Sequence, residues 1–292
     1  MFFDQHRLTG MRRYLMNPRF QYEQEKMLVN NPERKVAKSG YTPSVERMSI
    51  AMLERFWPEF YTKNVPVVVT GAMEGWAALG KWTPAYFARL LHGMEHALRE
   101  SDNEGEYTFV NHQKRVMSVS DYLVALESEQ LAGTTRPYFG NIPINSPNIA
   151  GWFDPIRGDF RFPEVAPERV GDEVRLWIGG KGQKSTIHND SNHGFNAQVY
   201  GRKMFRLYPP EQYPFLYSVR ISDETWVSQV DWESPDLAAH PEFAQANGMS
   251  VVLEEGEMLY IPAFWWHSAR AESVAINLNI WIFTPDIGKW IQ

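Results

Sequence analysis

The chain has 292 residues, of which 43% are hydrophobic, 14% aromatic and 22% charged, enough apolar material for one elaborated domain with a sizeable core and too much for a disordered chain. It contains no cysteine, which excludes disulfide scaffolds, thiolate zinc sites, iron–sulfur clusters and cysteine nucleophiles. Metal or acid–base chemistry must then rest on His, carboxylates, hydroxyls or Lys. The net charge of −6 argues against nucleic acid and anionic membranes as partners, and the absence of an apolar run of ~20 residues or of a signal-peptide core leads to the expectation of a cytoplasmic protein.

Residues 1–44 carry eight basic side chains against four acidic ones. They read as a partly helical arm that must break at Asn30-Asn31-Pro32, packed on the domain surface or serving as a homodimer contact. Residues 45–292 are expected to form a single domain. Within it, Ser49 caps a helix over IAMLERFWPEFYTK that bends or ends near Pro58. Val65 to Val69 form a short strand that turns at Gly71, with Pro66 tolerable at the strand's start or on a sheet edge. Thr83 is a natural N-cap with Pro84 at the first helical position, and that helix runs through AYFARLL to Gly93. Another helix starts near Ser118 or Ser120 and carries DYLVALES.

From Glu173 the pattern changes to short β-branched or aromatic runs punctuated by Gly and Pro: VRLWIGG, HGFNAQVYG, RKMFRLYPP, MSVVLEEG, EMLYIPAFWWHSA and VAINLNIWIF. Such runs predict an antiparallel sandwich or barrel. Between Pro210 and Gly248 the pattern is interrupted by a segment with Trp226 and Trp232 and a predicted helix from Asp236 to Asn247, ended by Gly248. Seven acidic residues lie between Glu211 and Glu242 against Arg220 alone. If this segment borders a site it would attract a basic peptide; otherwise it is a solvated loop.

The sharpest local feature is Ser185-Thr186-Ile187-His188-Asn189-Asp190. On a strand, residues two apart share a face, so His188 and Asp190 can converge on one point; alone, the pair reads equally as a surface turn. His267 ends the apolar run Tyr260 to Trp266, where an imidazole is out of place without a partner. Two imidazoles and a carboxylate on adjacent strands have the composition of the facial triad of non-haem iron(II) oxygenases, which leaves coordination positions open for a keto acid and dioxygen. Lys203, on the next predicted strand, is a counter-charge for a distant carboxylate, or a solvated edge residue.

The blocks Leu176 to Gly182, Ser185-x-x-His188-x-Asp190, Phe195 to Lys203, Leu207 to Pro210, Glu255 to His267 and Asn277 to Trp281 together resemble the JmjC family, and more narrowly the JmjC hydroxylases related to the asparaginyl hydroxylase that inhibits hypoxia-inducible factor. The resemblance extends upstream through Val65 to Ala72, Trp76 and Trp82. It implies a mainly β domain with flanking helices, a double-stranded β-helix of the jelly-roll or cupin type. It implies iron(II) held by His188, Asp190 and His267, with 2-oxoglutarate and dioxygen as cosubstrates. Lys203 and Ser185 would hold the distal carboxylate of 2-oxoglutarate. Tyr138, in Arg136-Pro137-Tyr138-Phe139, resembles the family's cosubstrate tyrosine, and is otherwise a half-buried aromatic. Asn279 matches a polar residue near the metal-bound end of the cosubstrate, or is a sheet Asn facing a loop. One departure stands out: where related hydroxylases often carry an Asn, this chain has Gly194, with Asn192, His193 and Asn196 as the nearby substitutes.

The implied reaction is hydroxylation of an unactivated C–H, giving succinate and carbon dioxide as coproducts, with a peptide or protein side chain as substrate. The alternatives are a free amino acid or other small molecule, N-methyl-lysine demethylation, and a non-oxygenase metal-binding cupin. The chain ends soon after Trp281, which leaves the basic arm as the candidate for a homodimer contact.

Overall fold

In a computed structural model the described residues are 44–100, 106–107, 114–128, 137–163, 170–190, 192–221 and 226–283. The expected helix and dimer contact of the basic arm lie outside them, apart from Ser44. In chain order the strands are β1 (Glu46–Ser49), β2 (Val67–Thr70), β3 (Glu95–Glu100), β4 (Glu106–Tyr107), β5 (Lys114–Ser118), β6 (Pro137–Pro143), β7 (Val170–Gly179), β8 (Lys184–Ser185), β9 (His188–Asn189), β10 (His193–Tyr200), β11 (Lys203–Tyr208), β12 (Ser218–Arg220), β13 (Trp226–Ser228), β14 (Met249–Leu253), β15 (Met258–Ile261), β16 (Trp266–Ala271) and β17 (Ala275–Phe283). The helices α1 (Pro84–Leu90) and α2 (Val119–Glu127) precede the barrel strands.

The strands form two sheets. The larger runs β1-β2-β15-β10-β17-β7-β6-β3-β5 and the smaller β12-β13-β9-β16-β11-β14, with β8 beside β16. From β7 onward the chain passes back and forth between them: β7, β10, β15 and β17 lie in the larger sheet, and β8, β9, β11, β14 and β16 in the smaller. That exchange of sheets is the double-stranded β-helix, or jelly roll, and it bears out the expected mainly β cupin-like fold.

Period-two alternation assigns the two faces of the larger sheet. Val174, Leu176 and Ile178 of β7, Phe195, Ala197 and Val199 of β10, and Ile276, Leu278 and Ile280 of β17 pack into the main core with Phe56, Trp82, Phe87, Tyr122 and Leu123. The alternate residues Trp177, Asn196, Asn277 and Asn279 therefore line the inside of the barrel. Val68, Phe205, Leu207, Val251, Leu253, Leu259 and Ile261 form a second buried apolar cluster. The helical side is held by a buried carboxylate: Asp159 accepts from Lys81 Nζ at 2.7 Å and from Trp82 Nε1 at 2.8 Å.

The predicted caps are present. Ser49 Oγ accepts from Ala51 N at 3.3 Å, Thr83 Oγ1 from Tyr86 N at 3.0 Å with Pro84 in the first turn, and Ser118 Oγ from Asp121 N at 3.2 Å. Pro66 immediately precedes β2, which lies between β1 and β15 and so is no edge strand. Three expectations are corrected. The helix after Ser49 is a 3₁₀ turn over Ile50–Arg55 followed by a π turn over Phe56–Tyr61, because the Pro58 ring would meet the Glu54 carbonyl of a regular α-helix. The predicted helix from Asp236 to Asn247 is only a 3₁₀ turn, Pro241–Gln245: Pro241 cannot continue a helix, and Asp236 Oδ1 accepts instead from Ala238 N and Ala239 N. The run EMLYIPAFWWHSA is two strands, β15 and β16, divided at Pro262 by a turn in which Phe264 has φ +68°. No described helix is long and apolar enough to cross a membrane.

Gly201, between β10 and β11, sets the register of Lys203. Its φ is +65°, and a Cβ there would lie 1.9 Å from the Val274 carbonyl oxygen. Gly201→Ala is therefore expected to destabilise the fold by about 2–4 kcal/mol, measured as a fall in urea midpoint. Wild-type stability would contradict the close approach.

Candidate metal centre

Strands β9 and β16 are antiparallel neighbours in which His188 lies directly opposite His267. Their ring centroids are 4.2 Å apart. Asp190 follows β9, and its Oδ2 lies 3.7 Å from His267 Nε2. One ligand atom from each of His188, Asp190 and His267 falls within 4.8 Å of the other two. The loop between β15 and β16 is tied to the same point, since the Phe264 N–H donates to the Asp190 carbonyl at 2.8 Å. The left-handed backbone of a bulky residue beside the site is thus held by the site's own hydrogen bond.

The imidazoles are oriented by backbone. His188 Nδ1 lies 2.8 Å from the Thr186 carbonyl oxygen and His267 Nδ1 lies 3.0 Å from that of Trp265. A carbonyl only accepts, so Nδ1 carries the proton in each ring and the Nε2 lone pair faces the site, the second-sphere arrangement that metal-binding histidines use. Burial, with the neighbouring His267, pushes His188 down to about 4 against the pull of Asp190. It is therefore neutral and able to donate its lone pair at neutral pH. The donor set fits a divalent transition metal.

Beside the triad a pocket, partly open toward solvent, is lined by Tyr138, Ser185, His188, Asn196, Lys203, His267 and Asn279. Asp190 lines the adjoining recess with Asn192, Gly194, Asn196, His267 and Asn279. All eight residues singled out in the sequence therefore meet in one place. Lys203 is 5% exposed; its Nζ donates to the Tyr138 hydroxyl at 3.4 Å, and no carboxylate pairs with it among the described residues. Burial alone pushes its pKa down to about 7. Burial also raises the Tyr138 pKa, opposed by Arg99. Ser185 Oγ accepts from Ala269 N at 3.1 Å, which leaves its own proton available. Asn196 and Asn279 are register partners across β10 and β17, and Asn279 Oδ1 is buried without a hydrogen bond.

The pocket also uses Trp177, Phe205, Ala269 and Asn277, which were not singled out. Alternation along β7 and β17 was the signal for Trp177 and Asn277: each lies one step from residues packed in the main core. At the departure from the family pattern, a Cβ on Gly194 would lie 3.4 Å from Asn279 Oδ1 and from Trp281 Cδ1. Of the three neighbours considered as substitutes, Asn192 and Asn196 line the site. His193 does not: its Nδ1 accepts from the Tyr260 hydroxyl at 2.7 Å and its ring stacks on Tyr61, behind the sheet.

Two of the five acidic residues described in this segment are paired with cations of the barrel. Asp231 pairs with the buried Lys184 at 2.7 Å, and Glu233 pairs with Lys184 at 3.4 Å and with Arg270. Trp226 pairs with Asn189 in register, and Trp232 Nε1 donates to Ser268 Oγ at 2.9 Å. Both tryptophans anchor the segment to the smaller sheet. Asp223 and Glu224 lie outside the described residues.

Residues 53–286 match the family described as the Cupin-like domain. The chain is 28% identical over 246 residues to lysine-specific demethylase JMJ30 of Arabidopsis thaliana, covering 81% of this chain and 54% of that protein. It is 30% identical over 239 residues to HSPB1-associated protein 1 of Bos taurus, covering 74% and 48%. It is 25% identical over 255 residues to the bifunctional peptidase and (3S)-lysyl hydroxylase JMJD7 of Homo sapiens, covering 77% and 79%. The chain thus spans about half the length of the first two.

His188 and His193 are both pushed down to about 4, chiefly by burial. Once unfolded, each protonates near 6.5, so the folded state binds fewer protons between these values. The stability this confers is complete above pH 6.5 and lost as pH falls toward 4, by about 3 kcal/mol for each histidine. Urea midpoints of the metal-free chain at pH 7, 6 and 5 should fall accordingly, and His193→Gln should flatten part of the slope. A flat profile would refute buried neutral imidazoles.

Proposed function

Since the chain belongs to the cupin-like JmjC oxygenase family, we propose that it is an iron(II)- and 2-oxoglutarate-dependent oxygenase that hydroxylates an unactivated C–H, on a peptide or protein side chain. The observation that carries the reading is a buried lysine with no acidic partner among the described residues, in the same pocket as two imidazoles whose neighbouring recess holds a carboxylate. A structural metal alone would need no such cation.

In this reading His188, Asp190 and His267 would hold iron(II), the imidazoles through Nε2 and Asp190 through a carboxylate oxygen. When bound, the metal couples oxidative decarboxylation of 2-oxoglutarate by dioxygen to C–H hydroxylation, with succinate and carbon dioxide as coproducts. The chain's own share is to bind and orient. Lys203 supplies the charge for the distal carboxylate. The Tyr138 hydroxyl, kept protonated by burial, and the Ser185 hydroxyl, whose lone pair is already used by Ala269 N, each donate a hydrogen bond to the same group. Asn196 and Asn279 face the metal-bound end. For the substrate, a peptide or protein side chain accords with the names of the relatives, two of which describe action on lysine.

Two measurements test this. Succinate formation screened against a peptide library and free amino acids, with mass spectrometry for a gain of one oxygen, should find a hydroxylated peptide. Failure to make succinate with any substrate, together with no visible band near roughly 500 nm on anaerobic addition of iron(II) and 2-oxoglutarate, would sink the reading. Lys203→Ala should raise the 2-oxoglutarate requirement at least about tenfold and leave iron affinity nearly unchanged; equal losses would make Lys203 structural.

Lys203 also predicts a proton linkage. With its pKa near 7 in the free protein, the side chain is part neutral at pH 7.5, and a bound carboxylate restores the ammonium. Binding of 2-oxoglutarate should therefore take up protons at pH 7.5, seen by calorimetry in buffers of different ionisation enthalpy. Lys203→Met should abolish the uptake; its persistence would assign it elsewhere.

A further inference from the structure

Tyr138 reaches the pocket only because two glycines make room for its ring. On β7, a Cβ at Gly179 would lie 2.6 Å from Tyr138 Cε2 and 2.9 Å from Cδ2. On β6, a Cβ at Gly140 would lie 3.0 Å from Tyr138 Cε1 and 2.8 Å from Trp177 Cε3. Neither glycine has a positive φ, so the backbone does not ask for glycine at either place. A strand loses stability by carrying one; here the missing side chains are replaced by an aromatic ring at close approach. The slot fixes the ring edge-on between the two strands, with its hydroxyl 3.4 Å from Lys203 Nζ and the Trp177 ring 6.0 Å from the same ammonium.

We propose that Gly179, with Gly140 at the other edge of the ring, is a positioning residue for the cosubstrate: the two glycines form the slot that aims the Tyr138 hydroxyl at the anion held by Lys203. The inference rests on the oxygenase reading, which assigns Lys203 and Tyr138 to 2-oxoglutarate. A methyl group at 179 pushes the ring off its seat and leaves Lys203 and Ser185 to hold the carboxylate without the Tyr138 hydroxyl. The triad is untouched, because His188, Asp190 and His267 sit on the opposite sheet and its connecting turn.

The test uses the full chain and calorimetric titration of Mn(II), then of 2-oxoglutarate into the Mn(II)-loaded protein. Gly179→Ala should weaken 2-oxoglutarate about tenfold, the order of one hydrogen bond to a charged group, with Mn(II) affinity unchanged. Tyr138→Val, which lacks the ring, should weaken it to a similar degree, and Gly179→Ala combined with Tyr138→Val should be no weaker than Tyr138→Val alone. Gly180→Ala, whose Cβ would meet only Leu126 Cδ2, at 3.0 Å, is the control and should bind as wild type. Losses that multiply in the double variant, equal losses of Mn(II) and 2-oxoglutarate, or wild-type binding by Gly179→Ala would overturn the proposal. If Gly179→Ala does not fold, circular dichroism of the double variant decides: recovery in the Tyr138→Val background supports the slot, and continued unfolding refutes it. Wild-type protein that binds Mn(II) but no 2-oxoglutarate would bring down the oxygenase reading itself. Wild-type-like Gly179→Ala alongside a weakened Lys203→Ala would bring down only the slot.

Discussion

The centre of the molecule depends on one cross-strand register, His188 of β9 against His267 of β16. A slip of one residue would turn every side chain of a strand to the other face. What forbids the slip is the packing on the outer face. Ile187 and Trp266, each one step from a ligand, are fully buried in a cluster with Tyr208, Leu216, Val230 and Phe243. Exposing either would cost about 2–3 kcal/mol, and the slip would drive imidazoles into an apolar cluster as well. The hydrophobic partners of the ligands therefore fix the ligands, and the polar geometry of the site is inherited from packing on its far side. The insertion joins in: Val227 of β13 pairs with His188, so the short strand β9 is flanked on both edges.

A second constraint is Lys203, buried without a carboxylate partner among the described residues. Burying Lys203 beside Trp177 and Tyr138 costs stability in the ligand-free protein, and in the oxygenase reading an incoming carboxylate returns it. Such a pocket favours a keto acid with a second carboxylate over one without, because only the former gives the buried lysine a charged partner. Tyr138 works in the same direction: a phenol held protonated by its surroundings can donate to an anion and has no charge to repel it.

Much of this was legible in the sequence, and the reasons differ by level. The barrel strands announce themselves by alternation and by Gly and Pro punctuation, and the three caps by residue chemistry confined to a few neighbours. The grouping of the three candidate ligands was readable because His188 and Asp190 stand at a spacing of two and because His267 ends an apolar run. The helix after Ser49 and that at Asp236 failed where a proline overrode apolar periodicity, at Pro58 and Pro241. The aromatic slot was not legible: Gly140 and Gly179 look like ordinary strand punctuation until β6 and β7 are seen side by side, since the ring that fills their space is contributed by Tyr138, two residues before one glycine and 41 before the other. Contacts made by the absence of a side chain leave no periodic trace.

The segment between β11 and β14 illustrates how composition can mislead. Seven acidic residues against one basic read as a free acidic surface, yet two of the five that are described, Asp231 and Glu233, are paired with cations of the barrel. Lys184 of β8 is 4% exposed and bonded to Asp231 and Glu233, and Arg270 of β16 joins Glu233. Leu216 accepts from Ser228 Oγ, and Trp232 donates to Ser268, whose hydroxyl donates in turn to the Ser185 carbonyl. The bonds run from the insertion through β16 to the strand that carries Ser185, and thence to the pocket wall. A segment held at so many points is a brace for β8 and β9, and its charge is part of that brace; net charge counted along a sequence says little about potential at a site until the pairing is known.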